Sequence, residues 1–226
     1  MGDVWAIVVA AGSGSRYGGA KQYEPLGDRR VIDWSLATAS AAGDGVVVVV
    51  APGAAPEDAA DRTVTGADTR SGSVRAGLAA VPEDAEVIVV HDAARPLASS
   101  ELFARVVDAV REGADAALPG VALVDTLRRL DGAPVDRDEL VAVQTPQAFA
   151  AARLRAVHAD RPEATDDASL VEAAGGTVVV VPGEVANAKI TTPDDLVVAE
   201  ARLRTLLAPE VAPRGADSGA GPGEAP

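Results

Sequence analysis

The chain contains no cysteine, two histidines and one methionine. Disulfides, thiolate zinc or iron–sulfur sites and cysteine nucleophiles are thereby excluded, and two imidazoles offer little to a transition metal. Aromatic residues make up 3% of the sequence, so a core must be assembled from valine, alanine and leucine. Positive charge is also scarce: 20 lysines and arginines face 34 acids, a formal net charge of −14. Such a surface repels phosphate backbones and anionic headgroups, which argues against nucleic-acid and membrane partners. No apolar run approaches the roughly 20 residues that span a bilayer. The run Val4 to Ala10 follows Asp3 and lacks a basic leader, so the protein reads as soluble and cytoplasmic. Small phosphorylated ligands stay compatible, provided a few cations gather in one cleft.

What is present is a chain of 226 residues, 48% hydrophobic, long enough to bury a core. Short apolar runs recur at Val4–Ala10, Val46–Ala51, Val87–Val90, Ala116–Leu118 and Val178–Val181. Continuous β-branched runs without alternation are what strands covered on both faces look like. Between them, Leu102, Phe103, Val106, Val107 and Val110 recur at helical spacing, with Ser99 or Ser100 as cap and Gly113 past the end. Thr192-Pro193-Asp194-Asp195 opens a last helix whose apolar face is Leu196, Leu203 and Leu207. Alternating strands and helices predict an α/β sandwich with a mostly parallel sheet and ligands beyond the carboxyl ends of its strands. One stretch departs from this alternation. Val124 to Leu130 reads as a strand, Asp131-Gly132 as a tight turn and Val135 to Val143 as a return strand, a β-hairpin arm protruding from the sheet over about 124–143. Residues 1–207 read as one domain, and 208–226, rich in Ala, Pro and Gly, as a disordered C-terminal tail.

The first strand runs into Ala10-Ala11-Gly12-Ser13-Gly14-Ser15-Arg16, followed by Lys21. Glycines let main-chain amides approach a polyphosphate, and the two cations would neutralise it. An ordinary glycine-rich turn is the alternative, since neither the dinucleotide fingerprint nor the P-loop pattern fits. His91-Asp92-Ala93-Ala94-Arg95 places an acid and an arginine just beyond a buried strand. Asp92 there suits a magnesium ion or a ribose hydroxyl and Arg95 a phosphate, or Asp92 caps a turn and Arg95 pairs with it. His91 reads as a packed strand-end residue. Thr145-Pro146-Gln147, Thr165-Asp166-Asp167 and Asn187-Ala188-Lys189 add polar groups at turns, with Thr165 and Thr192 also readable as helix caps.

Taken in order, Gly12-Ser-Gly-Ser-Arg16, Lys21-Gln22-Tyr23, His91-Asp-Ala-Ala-Arg95-Pro96, Asp125-Thr126, Thr145-Pro-Gln147, Thr165-Asp166 and Asn187-Ala-Lys189 closely resemble the 2-C-methyl-D-erythritol 4-phosphate cytidylyltransferase family, over residues 4 to about 207. The resemblance implies a nucleotidyltransferase that moves a cytidylyl group from CTP to methylerythritol phosphate and releases pyrophosphate, in the non-mevalonate isoprenoid route. It also implies a three-layer, mostly parallel, Rossmann-like nucleotidyltransferase sheet with a protruding β-hairpin arm, a homodimer clasped through that arm, and Mg²⁺ held mainly by the triphosphate, for which Asp92 is the candidate protein ligand. Carried over by position, Arg16 and Lys21 match the cations that stabilise the transition state, while Arg137 and Lys189 match the pair that positions the acceptor phosphate. Ala10, Ala11 and Gly12, with Gly66, Asp68 and Ser73, match the cytosine and ribose pocket. Asp92, Arg95, Thr126 and Thr145 match the acceptor set, with Gly14, Ala93 and Thr165 as further substrate-binding positions. Val9 stands where the family often has proline, and Tyr17 where methionine or leucine is usual. Ribitol 5-phosphate is the rival acceptor, and a non-catalytic nucleotide sensor the rival of another class. A length of 226 residues leaves no room for the fused cyclodiphosphate synthase of bifunctional relatives.

Overall fold

The computed structural model describes residues 3–208; the expected tail lies, from 209 onward, outside the described residues. The strands are β1 (Val4–Ala10), β2 (Pro25–Leu26), β3 (Arg29–Arg30), β4 (Gly45–Val50), β5 (Arg62–Thr65), β6 (Val87–Asp92), β7 (Ala116–Ala122), β8 (Leu127–Arg128), β9 (Pro134–Val135), β10 (Val141–Val143), β11 (Gln147–Ala150) and β12 (Val178–Pro182). The helices are α1 (Val31–Ala42), α2 (Arg70–Leu78), α3 (Ser100–Arg111), α4 (Ala151–His158), α5 (Ala168–Ala173) and α6 (Pro193–Leu207).

The main sheet runs β5-β4-β1-β6-β11-β7, with β12 parallel and β10 antiparallel to β7. β5, β4, β1 and β6 are parallel, and β11 lies antiparallel between β6 and β7. Period-two alternation divides each central strand between two cores. Ala6, Val8, Val46, Val48 and Val89 pack against Ile32 and Leu36 of α1 and Leu102 and Phe103 of α3. Ile7, Val47, Val49, Ile88 and Val90 pack against Val74 of α2, Leu154 of α4 and Val171 of α5. This is the expected three-layer α/β fold, with strands that carry apolar residues on both faces because both faces are covered.

The caps follow from their side chains. Ser99 accepts a bond from Leu102 N and starts α3, and Gly113 at φ 112° lies just past its end. Thr192 and Asp195 form a capping box, with Pro193 in the first turn of α6. Leu203 of that helix is buried, but Leu207 is exposed and does not join the expected apolar face. The arm is also shorter than expected. β8 and β9 pair over two residues each around Gly132, and a 3-10 turn at Arg137–Glu139 interrupts the return before β10 rejoins the sheet on β7. Asp136 and Asp138 break the apolar pattern there, and Asp136 caps the turn by accepting from Asp138 N at 3.0 Å.

β6 extends two residues further than the apolar run, so His91 and Asp92 belong to the strand itself and not to the turn beyond it. Strand alternation sends them to opposite faces. His91 packs on Phe103 with ring centroids 5.1 Å apart and is wholly buried. Its Nδ1 lies 3.2 Å from Thr145 Oγ1 and its Nε2 3.2 Å from the Arg95 carbonyl. A carbonyl only accepts, so Nε2 carries the proton and Nδ1 accepts from the hydroxyl. Burial pushes this imidazole down to about 4.

Two outcomes follow from the packing. A Cβ at Gly77 on α2 would stand 2.5 Å from Ile7 Cγ2 at the sheet centre, so Gly77→Ala is expected to lose about 1–2 kcal/mol in denaturant melts, overpacking outweighing the gain in helix propensity. His91 is neutral in the fold but protonates near 6.5 when unfolded. Its stabilising contribution is therefore complete above about pH 6.5 and lost as pH falls toward 4, on the order of 3 kcal/mol in all. His91→Gln should flatten that part of the melting-midpoint profile; an unchanged slope would reject the assignment.

Candidate active site

The carboxyl ends of β1, β4 and β6 open into a cavity of about 560 Å³. β1 supplies Ala10 and the loop through Ala11, Gly12 and Gly14; the turn after β4 supplies Ala51 and Pro52; and β6 supplies Asp92, Ala93 and Ala94. The start of α2 contributes Asp68, Arg70 and Ser73, and Lys21 and Lys189 reach in from either side. Gly66 lies beneath, where an added Cβ would meet Ala11 Cβ at 2.5 Å and Ser73 Oγ at 2.8 Å. The Ser73 hydroxyl is taken up by Ala67, accepting from its N at 3.1 Å and donating to its O at 3.2 Å, so it shapes the 66–69 turn.

The glycine-rich loop folds back on itself. Gly14 sits at φ 64° and its carbonyl accepts from Tyr17 N and Gly18 N, while a Cβ there would fall on the Gly19 carbonyl. Only glycine satisfies both demands. Gln22, buried, donates to the Ala10 carbonyl at 2.8 Å and clamps the far end of the loop to the end of β1. Lys21 is thus delivered to the cavity by a closed loop, while Arg16 stays exposed on its outer turn. Burial lowers the Lys21 ammonium, and repulsion from Lys189 and Arg16 lowers it further. Lys189 and Arg16 thus each lie close enough to disfavour the Lys21 charge, and an anion placed beside Lys21 relieves the conflict.

Lys189 is presented by a scaffold of buried amides. Asn187 donates to the Thr145 carbonyl at 2.8 Å and to Gln144 Oε1 at 3.2 Å, and Gln144 in turn bonds the Glu184 main chain. Ile190 N donates to the Ala94 carbonyl. Lys189 Nζ then lies 2.6 Å from Asp92 Oδ2. Burial would raise the Asp92 carboxyl, but Lys189, Arg70 and Arg95 outweigh it and hold the group down at about 2. Thr145 is not at the cavity surface; its hydroxyl accepts from Asp92 N at 3.0 Å and fixes the end of β6. Arg95 likewise turns away, donating to the Asn187 and Val143 carbonyls.

The remaining expected positions lie elsewhere on the chain. Thr126 and Arg137 are exposed on the arm, and Arg137 bonds the Val124 carbonyl. Thr165 is exposed outside the cavity and does not cap α5; Asp167 holds the cap position without a side-chain cap bond, and the Asp166 carboxylate before it accepts from Ser169 N at 2.8 Å. The sequence motifs contain Gln22 and Asn187 but give them no role, and Arg70 and Gln144 carry no local signal of one, since each acts through partners distant in sequence. Among the described residues, no three acids or imidazoles converge to hold a metal, and no helix is long and apolar enough to cross a membrane.

Residues 4–205 match the profile of the family described as IspD, 2-C-methyl-D-erythritol 4-phosphate cytidylyltransferase. A protein of that name from Nocardia farcinica is 43% identical over 218 residues, covering 89% of this chain and 94% of its own length. The bifunctional enzyme IspD/IspF of Dinoroseobacter shibae is 45% identical over 217 residues, covering 89% of this chain, which spans only 54% of that relative. The crystal structure of 2-C-methyl-D-erythritol 4-phosphate cytidylyltransferase from Thermus thermophilus superposes with a TM-score of 0.79 at 38% identity, covering 90% of this chain and all of that one. The nucleotidyltransferase-type sheet, the loop after β1 and the match along nearly all of the described residues agree: this chain belongs to the 2-C-methyl-D-erythritol 4-phosphate cytidylyltransferase family.

Proposed function

We propose that the protein transfers the cytidylyl group of CTP to the phosphate of 2-C-methyl-D-erythritol 4-phosphate and releases pyrophosphate. The observation that carries this reading is that Lys21 and Lys189, the two lysines of an otherwise acidic molecule, line one cavity, with Arg16 on the loop that delivers Lys21. An acceptor phosphate oxygen attacks the α-phosphorus in line, a new P–O bond forms, and the bond to the β-phosphate oxygen breaks. Both reactants are anions, so the barrier is chiefly repulsion and positioning. The nucleophile is already ionised near neutrality and needs no general base, in keeping with a site in which His91 is neutral and buried.

The chain's residues divide the work. Lys21 and Arg16 take the triphosphate, where negative charge accumulates as pyrophosphate leaves. Lys189 takes the acceptor phosphate, and Asp92 accepts from polyol hydroxyls beside it. Asp68 and the main chain of the 10–12 turn suit the ribose and cytosine. A magnesium ion fits this donor set only as a partner of the triphosphate. Asp92 is the carboxylate at the cavity end of β6, but it is already shared with Lys189 and Arg70. Triphosphate oxygens would therefore supply most of the ligands, as this cation prefers. When bound, the ion neutralises the polyphosphate. Arg137 and Thr126 lie on the arm, and Val124, Leu130 and Leu140 leave apolar surface exposed beside them. A homodimer, with each arm reaching the partner's cavity, would cover that surface and bring Arg137 to an acceptor phosphate.

Pyrophosphate release measured with each of the four nucleotides and methylerythritol phosphate tests the reading, CTP being the expected donor; ribitol 5-phosphate in parallel identifies the acceptor. Release with neither acceptor would leave a nucleotide-binding protein instead. Lys21→Ala and Arg16→Ala should each lower kcat by on the order of 10²-fold at unchanged melting midpoint, and near-normal turnover in both would remove these cations from the mechanism. Arg137→Ala is expected to raise KM for the acceptor and leave KM for CTP alone.

A further inference from the structure

Behind the cavity, charges of alternating sign run in a row from Lys189 to Asp167, which ends on the His158 ring. Lys189 Nζ lies 2.6 Å from Asp92 Oδ2, and Asp92 Oδ1 lies 3.9 Å from Arg70 Nε. Arg70 Nη1 is 2.8 Å from Asp167 Oδ2, and Asp167 Oδ1 is 3.0 Å from His158 Nε2. Asp167 and His158 are buried, and Arg70 lines the cavity. The two oxygens of Asp92 therefore face two different cations, one of which is anchored from behind by a carboxylate that solvent does not reach.

We propose that Arg70 is a positioning residue that shares the Asp92 carboxylate with Lys189 and so leaves the Lys189 ammonium free to engage a phosphorylated acceptor. This rests on the function proposed above. With Arg70 in place, the Asp92 carboxylate meets a second cation on its Oδ1 side, itself balanced from behind by Asp167, so Asp92 does not depend on Lys189 alone. Without Arg70, Lys189 is the one cation of this row left to balance Asp92, and an incoming phosphate must compete with a buried carboxylate for the same ammonium. Asp167 directs the planar guanidinium, whose separate N–H groups let it face two carboxylates at once. A role limited to holding down the 162–167 segment is already filled. Ser71 bonds both the N and the O of Ala164, and Arg75 bonds the Pro162 carbonyl and Glu163.

Initial rates of pyrophosphate release from Arg70→Met, Arg70→Lys and Asp167→Asn, with melting midpoints recorded for each, test the assignment. Arg70→Met is expected to raise acceptor KM by on the order of 10-fold while CTP KM changes far less, and Arg70→Lys, which keeps the charge, is expected to recover most of that loss. Asp167→Asn should move acceptor KM in the same direction as Arg70→Met. A lowered melting midpoint with acceptor KM unchanged in Arg70→Met, or a rise confined to CTP KM, would overturn the proposal. A readout without turnover separates it from the reaction itself: inorganic phosphate should raise the melting midpoint of the wild type more than that of Arg70→Met. A wild type inert with CTP but protected by phosphate in this Arg70-dependent way would sink the proposed reaction and keep the positioning role. Equal phosphate protection in wild type and Arg70→Met would sink the positioning role.

Discussion

The Asp92 carboxylate is the point on which the cavity is organised. It stands at the end of β6, a central strand, and its contact with Lys189 joins residues 97 positions apart. Removing a carboxylate from water is costly, and the group stays ionised only because cations meet it from two sides. Those cations come from different elements, Arg70 from the start of α2 and Lys189 from the segment before α6. The ionised acid therefore requires that α2, β6 and the 184–190 segment be docked correctly at the same time. The amide scaffold of Gln144 and Asn187 and the hydroxyl of Thr145 serve the same end, since each fixes either the strand end or the lysine segment.

Local features were legible in the sequence, and long-range ones were not. β1 and β4 are apolar runs buried between two helical layers, β12 is a valine run legible although it lies half-exposed beside β7, and Ser99 and Thr192 cap their helices where the spacing places them. The cation-bearing loop was legible because its glycines and charges are contiguous. β11 was not: Gln147-Ala148-Phe149-Ala150 has no β-branched residue, and it becomes a strand only because β6 and β7 leave a slot between them. The arm was legible as an excursion, but its internal pairing was overestimated because alternation continues through residues that a 3-10 turn uses instead. Arg70, Asp167 and His158 each resemble ordinary helix-surface or turn residues, and nothing in their spacing marks them as one row. That row exists only once α2 and the 159–167 segment lie side by side.

Net charge and site chemistry point in opposite directions, and the division between lysine and arginine reconciles them. The chain has only two lysines, and both line the cavity. Arginines are used differently: Arg105 donates to the Pro182 carbonyl, Arg155 to those of Val81, Pro82 and Glu83, and Arg202 to those of Val185 and Ala186. A guanidinium presents several N–H groups in a fixed fork and closes loop carbonyls well, whereas an ammonium is a compact charge on a flexible stem that can follow a moving phosphate. Much of the positive charge counted in the composition is thus committed to holding loops in place, and the mobile part is concentrated at one rim. The surrounding acids then confine anion binding to that rim, because a polyphosphate meets repulsion elsewhere on the surface and attraction where Lys21 and Lys189 line the cavity, with Arg16 on the loop beside them.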